Sequence, residues 1–167
     1  MRGVINQAKR DVKRIVFCEG EDPTIIKAAS QCIVEGICEP ILLGQIERIG
    51  AVKEELGLEF ECQTIDVRYD PRRRGEYAEE LHELRGRRGL TRDDAVRLLK
   101  SSTYFAPMMV RMRDADGYLG GVSHDYPDIV KPCLQVIGPD PGSHRIVGMY
   151  MMTVNGQLMF IGDATIN

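Results

Sequence analysis

Over its first seventy residues the chain alternates short apolar runs with amphipathic segments bounded by helix start and stop signals, and few folds accommodate that order. "RIVF", residues 14–17, reads as a buried strand followed by the turn "CEGEDP". Asp22 is placed to cap a helix with Pro23 at its first position, where a missing N–H costs little. Ile25, Ile26, Ala29, Cys32 and Ile33 then fall on one helical face, and Gly36 ends the segment. "PILLG", residues 40–44, is a second apolar run, residues 45–56 read as a helix ending at Gly57, and "CQTIDV" is a third strand. Strands separated by helices run parallel, because each crossover must carry the chain back to the same end of the sheet. The expectation is an α/β fold, a layered sheet of mostly parallel strands flanked by helices.

The middle of the chain is helical by the same criteria. "GEYAEELHELRG", residues 75–86, puts Tyr77, Leu81 and Leu84 on one stripe, and Thr91 stands three residues before Asp94, a relative of the capping box. "TYFAPMMVRMR", residues 103–113, continues as an apolar helix whose Met108, Met109 and Met112 are assigned to core packing. A strand over 116–120 and a helix over 126–137 follow, and two β-rich runs flank Asn155-Gly156, a strong type I′ turn signal that predicts a C-terminal hairpin. The basic groups Arg72 to Arg74 and Arg85, Arg87 and Arg88 lack interleaved aromatic residues and read first as solvated helix faces.

Charge and composition exclude several partners. A formal charge of −3 over 167 residues offers no general attraction to nucleic acid. Five cysteines without C-x-x-C spacing cannot all pair within one chain and fit reduced, packed thiols of a cytoplasmic protein. His82, His124 and His144 lie far apart without a metal-binding spacing. Residues 1–17 have no long apolar core, so neither a signal peptide nor a membrane span is expected.

The stretch "ADGYLGGVSHDYPDIVKP", residues 115–132, places adjacent Gly120 and Gly121 between a strand and a helix. Two readings stay open. Glycine permits close approach, and the amides of a helix beginning near Tyr126, with Asp125 as N-cap, suit an anion, so the loop can cradle a phosphate. Equally, a tight βα turn needs glycine for steric reasons alone, and spacing by itself favours that simpler reading.

With these elements in order, the sequence resembles the first half of a phosphotransacetylase domain. The resemblance runs through "RIVFCEGEDPTIIKAA", "EPILLG", "YAEELHELRGRRGLTRDDA", "FAPMMVRMRDADGYLGGVSHDYPDIVKPCLQVIG", "RIVGMYMM" and "FIGDATIN". Within the family it is most similar to the phosphotransacetylase-like C-terminal portion of NADP-dependent malic enzymes, at "MRGVINQAKRDVKRIVF" and "SHDYPDIVKPCLQVIGP".

The resemblance implies an isocitrate/isopropylmalate dehydrogenase-like fold and the N-terminal half of a domain, residues 1–167 being a fragment of a longer protein. Two functions follow from it. The first is the acyl-CoA-responsive, oligomerising domain of a malic enzyme, whose NADP and divalent metal act elsewhere. The alternative is the N-terminal half of a phosphate acetyltransferase that moves acetyl between coenzyme A and phosphate. No cofactor is expected in this chain; acetyl-CoA or phosphate is the ligand and a homo-oligomer the expected assembly.

Carried over by residue, the resemblance places Arg85 at a coenzyme A-binding arginine, and Lys131 where the transferases usually have arginine. Gly121, Ser123 and His124 fall on the loop facing the inter-lobe cleft, while Glu19 and Gly20 fall on the turn after the first strand. The family's acid–base aspartate belongs to the second half, so this chain alone is expected to be inactive. His124 as a lone base lacks an evident orienting partner and reads as structural.

Overall fold

The computed structural model describes residues 2–140, 142 and 146–162; His144 and the end of "FIGDATIN" lie outside them. A short helix α1 (Arg2–Ala8) leads into β1 (Lys13–Phe17), α2 (Pro23–Glu35), β2 (Cys38–Leu43), α3 (Ile46–Glu55) and β3 (Gln63–Ile65). Then come α4 (Pro71–Arg85), a single 3-10 turn at Gly86–Arg88, α5 (Arg92–Leu98), α6 (Ser102–Arg111), β4 (Gly117–Leu119) and α7 (Tyr126–Val136). The hairpin strands β5 (Met149–Val154) and β6 (Gln157–Gly162) follow.

The first four strands form one wholly parallel sheet in the order β3-β2-β1-β4. Alternation along each strand divides its side chains between two cores. Phe17 and Leu42 turn to α2 and α3, where Ile25, Ile26, Ala29 and Ile49 meet them. Val16, Ile41, Leu43 and Ile65 turn the other way, onto Tyr77, Leu81, Leu99, Phe105 and Met108 of the α4–α6 layer. At the centre of that layer the Tyr77 and Phe105 rings lie 5.0 Å apart, tilted by 50°. Burying a large apolar side chain is worth about 1.5–3 kcal/mol, so these two layers hold the sheet.

Local signals explain most boundaries. The Asp22 carboxylate accepts from the Thr24 N–H at 2.7 Å, and Gly36 ends α2 with φ 65°. Thr91 accepts from the Asp94 N–H at 3.1 Å, and the Asn155 and Gly156 φ values of 50° and 81° form the I′ turn.

Four expectations need correction. Helix α4 begins at Pro71 rather than residue 75, because the Asp70 side chain accepts from the Arg73 N–H at 3.0 Å and caps it. The arginine run is therefore not simply solvated: Arg73 pairs with Asp70 at 2.8 Å, and Arg74 donates to the carbonyls of Val67 and Arg68. Met112 is 37% exposed, since α6 ends before it, whereas Met108 and Met109 are buried. Asp125 occupies the N-cap position of α7 but makes no side-chain capping bond.

Candidate functional site

In a parallel sheet, every chain segment leaving a strand at its C-terminal end emerges on the same side, and the widest crevice opens where the strand order reverses. Here the chain leaves β1 for β2 on one side, while β4 takes the other side of β1, so the reversal lies between β1 and β4. A cleft of about 580 Å³ opens at this end of the sheet. Its walls come from residues 18–23 between β1 and the start of α2, 43–45 at the end of β2, 66–68 after β3, 100–102 at the start of α6, and Ser123 and His124 after β4.

The polar centre of the cleft is Glu19. Its side chain is 3% exposed, and both carboxylate oxygens are filled by the loop after β4. Oε2 accepts the Gly121 and Val122 N–H groups at 2.8 and 2.9 Å. Oε1 accepts the Ser123 N–H at 2.6 Å, the Ser123 hydroxyl at 2.9 Å and the His124 N–H at 3.1 Å, with His124 Nδ1 at 2.9 Å. Burial acts to raise this carboxyl's pKa, but the donors of His124, Val122 and Ser123 outweigh it and hold the group well below the usual carboxylate range.

The glycines of the loop follow from the same packing. A Cβ on Gly120 would lie 2.5 Å from Cys18 Sγ, and Gly121 has φ 107°, a conformation that L side chains rarely adopt. Gly20 is fixed by proximity too: its N–H donates to the Leu43 carbonyl at 3.0 Å, and a Cβ there would lie 2.7 Å from the same oxygen.

The remaining acids of the cleft are also engaged. Glu21 accepts from the Gln45 N–H and from Arg48, each at 2.8 Å, and Asp66 accepts from the Arg68 N–H and guanidinium. That Arg68 pairing holds Asp66 below its ordinary pKa. Lys100 makes no ion pair with a described residue and lines the cleft beside Ser101 and Ser102, at the amide end of α6. Cys18 is buried and its thiol pushed up to about 11 by desolvation, so it is not a thiolate nucleophile at neutral pH.

The residues expected to form one site are divided by the structure. Glu19, Gly20, Ser123 and His124 line the cleft, and Gly121 turns its amide to Glu19. Arg85 and Lys131 instead line a separate, smaller groove of about 430 Å³, with Arg88, Tyr126, Pro127, Val130, Leu134 and Gln135. The cause is helical geometry: Lys131 sits more than a turn into α7 and faces the end of α4, while the loop before α7 is drawn inward by Glu19. Of the two readings of the Gly120-Gly121 loop, the structure has the simpler one. The loop amides are spent on an internal carboxylate, so the loop is a tight turn locked by Glu19.

Asp66, Arg68, Lys100, Ser101 and Ser102 were not among the expected site residues. Their one sequence signal was position: 66–68 directly follow a strand, and 101 caps the helix entering the same end of the sheet. Among the described residues no helix is long and apolar enough to cross a membrane, and no group of three or more His, Cys, Asp or Glu residues is arranged to hold a metal ion.

Comparison with known proteins agrees with this architecture. The Phosphate acetyl/butaryl transferase family matches residues 1–167. The phosphate acetyltransferase of Helicobacter pylori is 34% identical over 165 residues, covering 99% of this chain and 32% of that protein. That of Corynebacterium glutamicum is 32% identical, covering 98% of this chain and 50% of the relative. Among solved structures, the EutD phosphotransacetylase from Staphylococcus aureus superposes with a TM-score of 0.87 at 28% identity, covering 99% of this chain and 51% of that one. A phosphotransacetylase from Streptococcus pyogenes gives 0.88 at 30% identity, with 100% and 52% covered. The chain thus spans between about a third and about half of the length of these relatives. With the whole of residues 1–167 matched, the chain belongs to the phosphate acetyl/butyryl transferase family.

Proposed function

We propose that this chain is the first half of a phosphate acetyltransferase domain and forms one wall of a site for a coenzyme A thioester and phosphate. The observation that carries the reading is the α4–α7 groove. Arg85, Arg88 and Lys131 make no ion pair with a described residue there, beside the exposed ring of Tyr126 and the apolar Pro127, Val130 and Leu134. Cations next to an apolar shelf suit a ligand that joins phosphates to a flat base, and guanidinium supplies a fork of donors to phosphate. In this reading the nucleotide of coenzyme A lies in the groove and its thioester end is directed to the cleft, where Lys100, Ser102 and His124 meet the reacting end. The relatives named are phosphate acetyltransferases, and nothing in the groove or cleft favours the malic-enzyme domain over the transferase.

This chain holds the binding half of the chemistry and is not expected to turn over alone. Its cleft carboxylates are committed to protein donors and its cleft cysteine is protonated, so it offers no free carboxylate or thiolate to the reacting atoms. The exposed apolar hairpin supports assembly as a homo-oligomer.

Calorimetric titration of coenzyme A into the 167-residue protein and its Arg85→Ala variant tests the reading. A charge-assisted phosphate contact is worth about 1.5–3 kcal/mol, so the variant should bind roughly ten- to a hundredfold more weakly. Equal affinity of the two proteins, or no binding by either, would contradict it.

A further inference from the structure

We infer that Glu19 is a positioning residue: its carboxylate imposes the shape of the 121–124 loop and fixes the tautomer of His124, so that Nε2 is the bare ring nitrogen offered to the cleft. Sequence alone gives His124 no orienting partner; the fold supplies one from 105 residues away.

The assignment follows from donor and acceptor inventory. An ionised carboxylate only accepts, so at 2.9 Å from Glu19 Oε1 the Nδ1 of His124 must carry the proton. The neutral ring then has its lone pair on Nε2. The His124 side chain is 38% exposed and lines the cleft, while its Nδ1 edge faces the nearly inaccessible Glu19 carboxylate. Nε2 is thus the end of the ring that a ligand can reach, as an acceptor for a thiol S–H or an acidic phosphate O–H. A carboxylate that orients an imidazole while its far nitrogen meets the reactant is the standard division of labour in acid–base sites.

The same inventory shows why glutamine cannot substitute. Each Glu19 oxygen accepts at least two backbone N–H groups, Gly121 and Val122 on one, Ser123 and His124 on the other. In either orientation a glutamine amide would point an NH2 group at N–H donors. The charge and the shape are both required, although glutamate and glutamine have nearly the same volume.

The geometry of the loop is independent of the acyl-transfer reading, whereas the value of a bare Nε2 to a ligand rests on it. The test therefore uses no ligand. Long-range proton–nitrogen NMR of the wild-type protein, at a pH where the imidazole is neutral, should show His124 protonated at Nδ1 and bare at Nε2. In Glu19→Gln that tautomer should lose its dominance, and exchange protection of the amides of residues 121–124 should fall about tenfold or more. Ser123→Ala removes one hydroxyl donor and leaves the carboxylate, so it should keep the tautomer. A wild-type ring protonated mainly at Nε2 would overturn the inference, as would a folded Glu19→Gln protein with unchanged tautomer and loop protection. If Glu19→Gln does not fold, the wild-type and Ser123→Ala spectra decide. A failed coenzyme A titration leaves these spectra unaffected, so the two ideas fail separately.

Discussion

The parallel-sheet lobe and the C-terminal hairpin have similar apolar content per strand but opposite fates. In β1 and β2, Val16, Phe17, Ile41, Leu42 and Leu43 are at most 3% exposed, because helices cover both faces of the sheet. In β5 and β6 every residue is exposed, including Met149, Met151, Leu158 and Phe160 at 67%, 45%, 40% and 60%. The turn chemistry of the hairpin is sound, yet a two-stranded ribbon alone is marginally stable in water. Hydrogen bonding shapes both regions, whereas burial stabilises only the first.

That contrast can be broken by substitution. Phe105→Ala removes a fully buried ring that stacks on Tyr77, and should cost about 3–5 kcal/mol in denaturant unfolding. A loss below about 1 kcal/mol would mean that the α4–α6 layer is not the core of the lobe. Gly120→Ala should cost about 1–3 kcal/mol, because its Cβ would meet Cys18 Sγ at 2.5 Å. An equally stable variant would show that the β1–β4 crevice is looser than the structure has it.

Acid should act on the lobe alone. Glu19 has a depressed folded-state pKa, so its contribution is complete above the unfolded value of about 4.3 and is lost as pH falls toward the folded one. Asp116, held at about 2 by Arg14, adds to the same limb. At the alkaline end Cys18 and Cys133 are each pushed up to about 11 by burial, so their contribution is full below about 8.5 and fades as pH rises through 11. Stability measured by denaturant titration should be flat near neutrality and fall at both ends; a rise on acidification would contradict the sign.

The smallest effect is expected in the hairpin. Phe160→Ala should change unfolding by no more than about 0.5 kcal/mol, as for other exposed sites. It should nevertheless weaken self-association seen by light scattering, because an uncovered apolar patch promotes contact between copies. A clean monomer over a wide concentration range would mean that the hairpin does not drive assembly.

The sequence made the lobe readable wherever the controlling interaction is local. Asp22, Gly36, Thr91 and Asn155-Gly156 act within a few residues, and strand and helix periods report directly on which side chains are buried. Even the Asp70 cap of α4 was local, but the arginine run after it read as a charge cluster. The site was less readable because its bonds are not local. Glu19 and its donors are 102 to 105 residues apart, so its carboxylate could not be seen to fill the loop that glycine spacing offered to phosphate. The separation of Arg85 and Lys131 from the cleft depends on the direction in which α7 leaves that loop, which periodicity does not encode.

Native-state hydrogen exchange on the dilute protein tests most directly the claim that burial and the Glu19 hydrogen bonds stabilise the lobe while the hairpin lacks such cover. Amides of β1, β2 and the Glu19-bound loop residues 121–124 should exchange slowly, and those of β5 and β6 orders of magnitude faster, gaining protection as concentration rises. Hairpin amides as protected as those of β1 at every concentration, or a 121–124 loop that exchanges freely, would contradict the account.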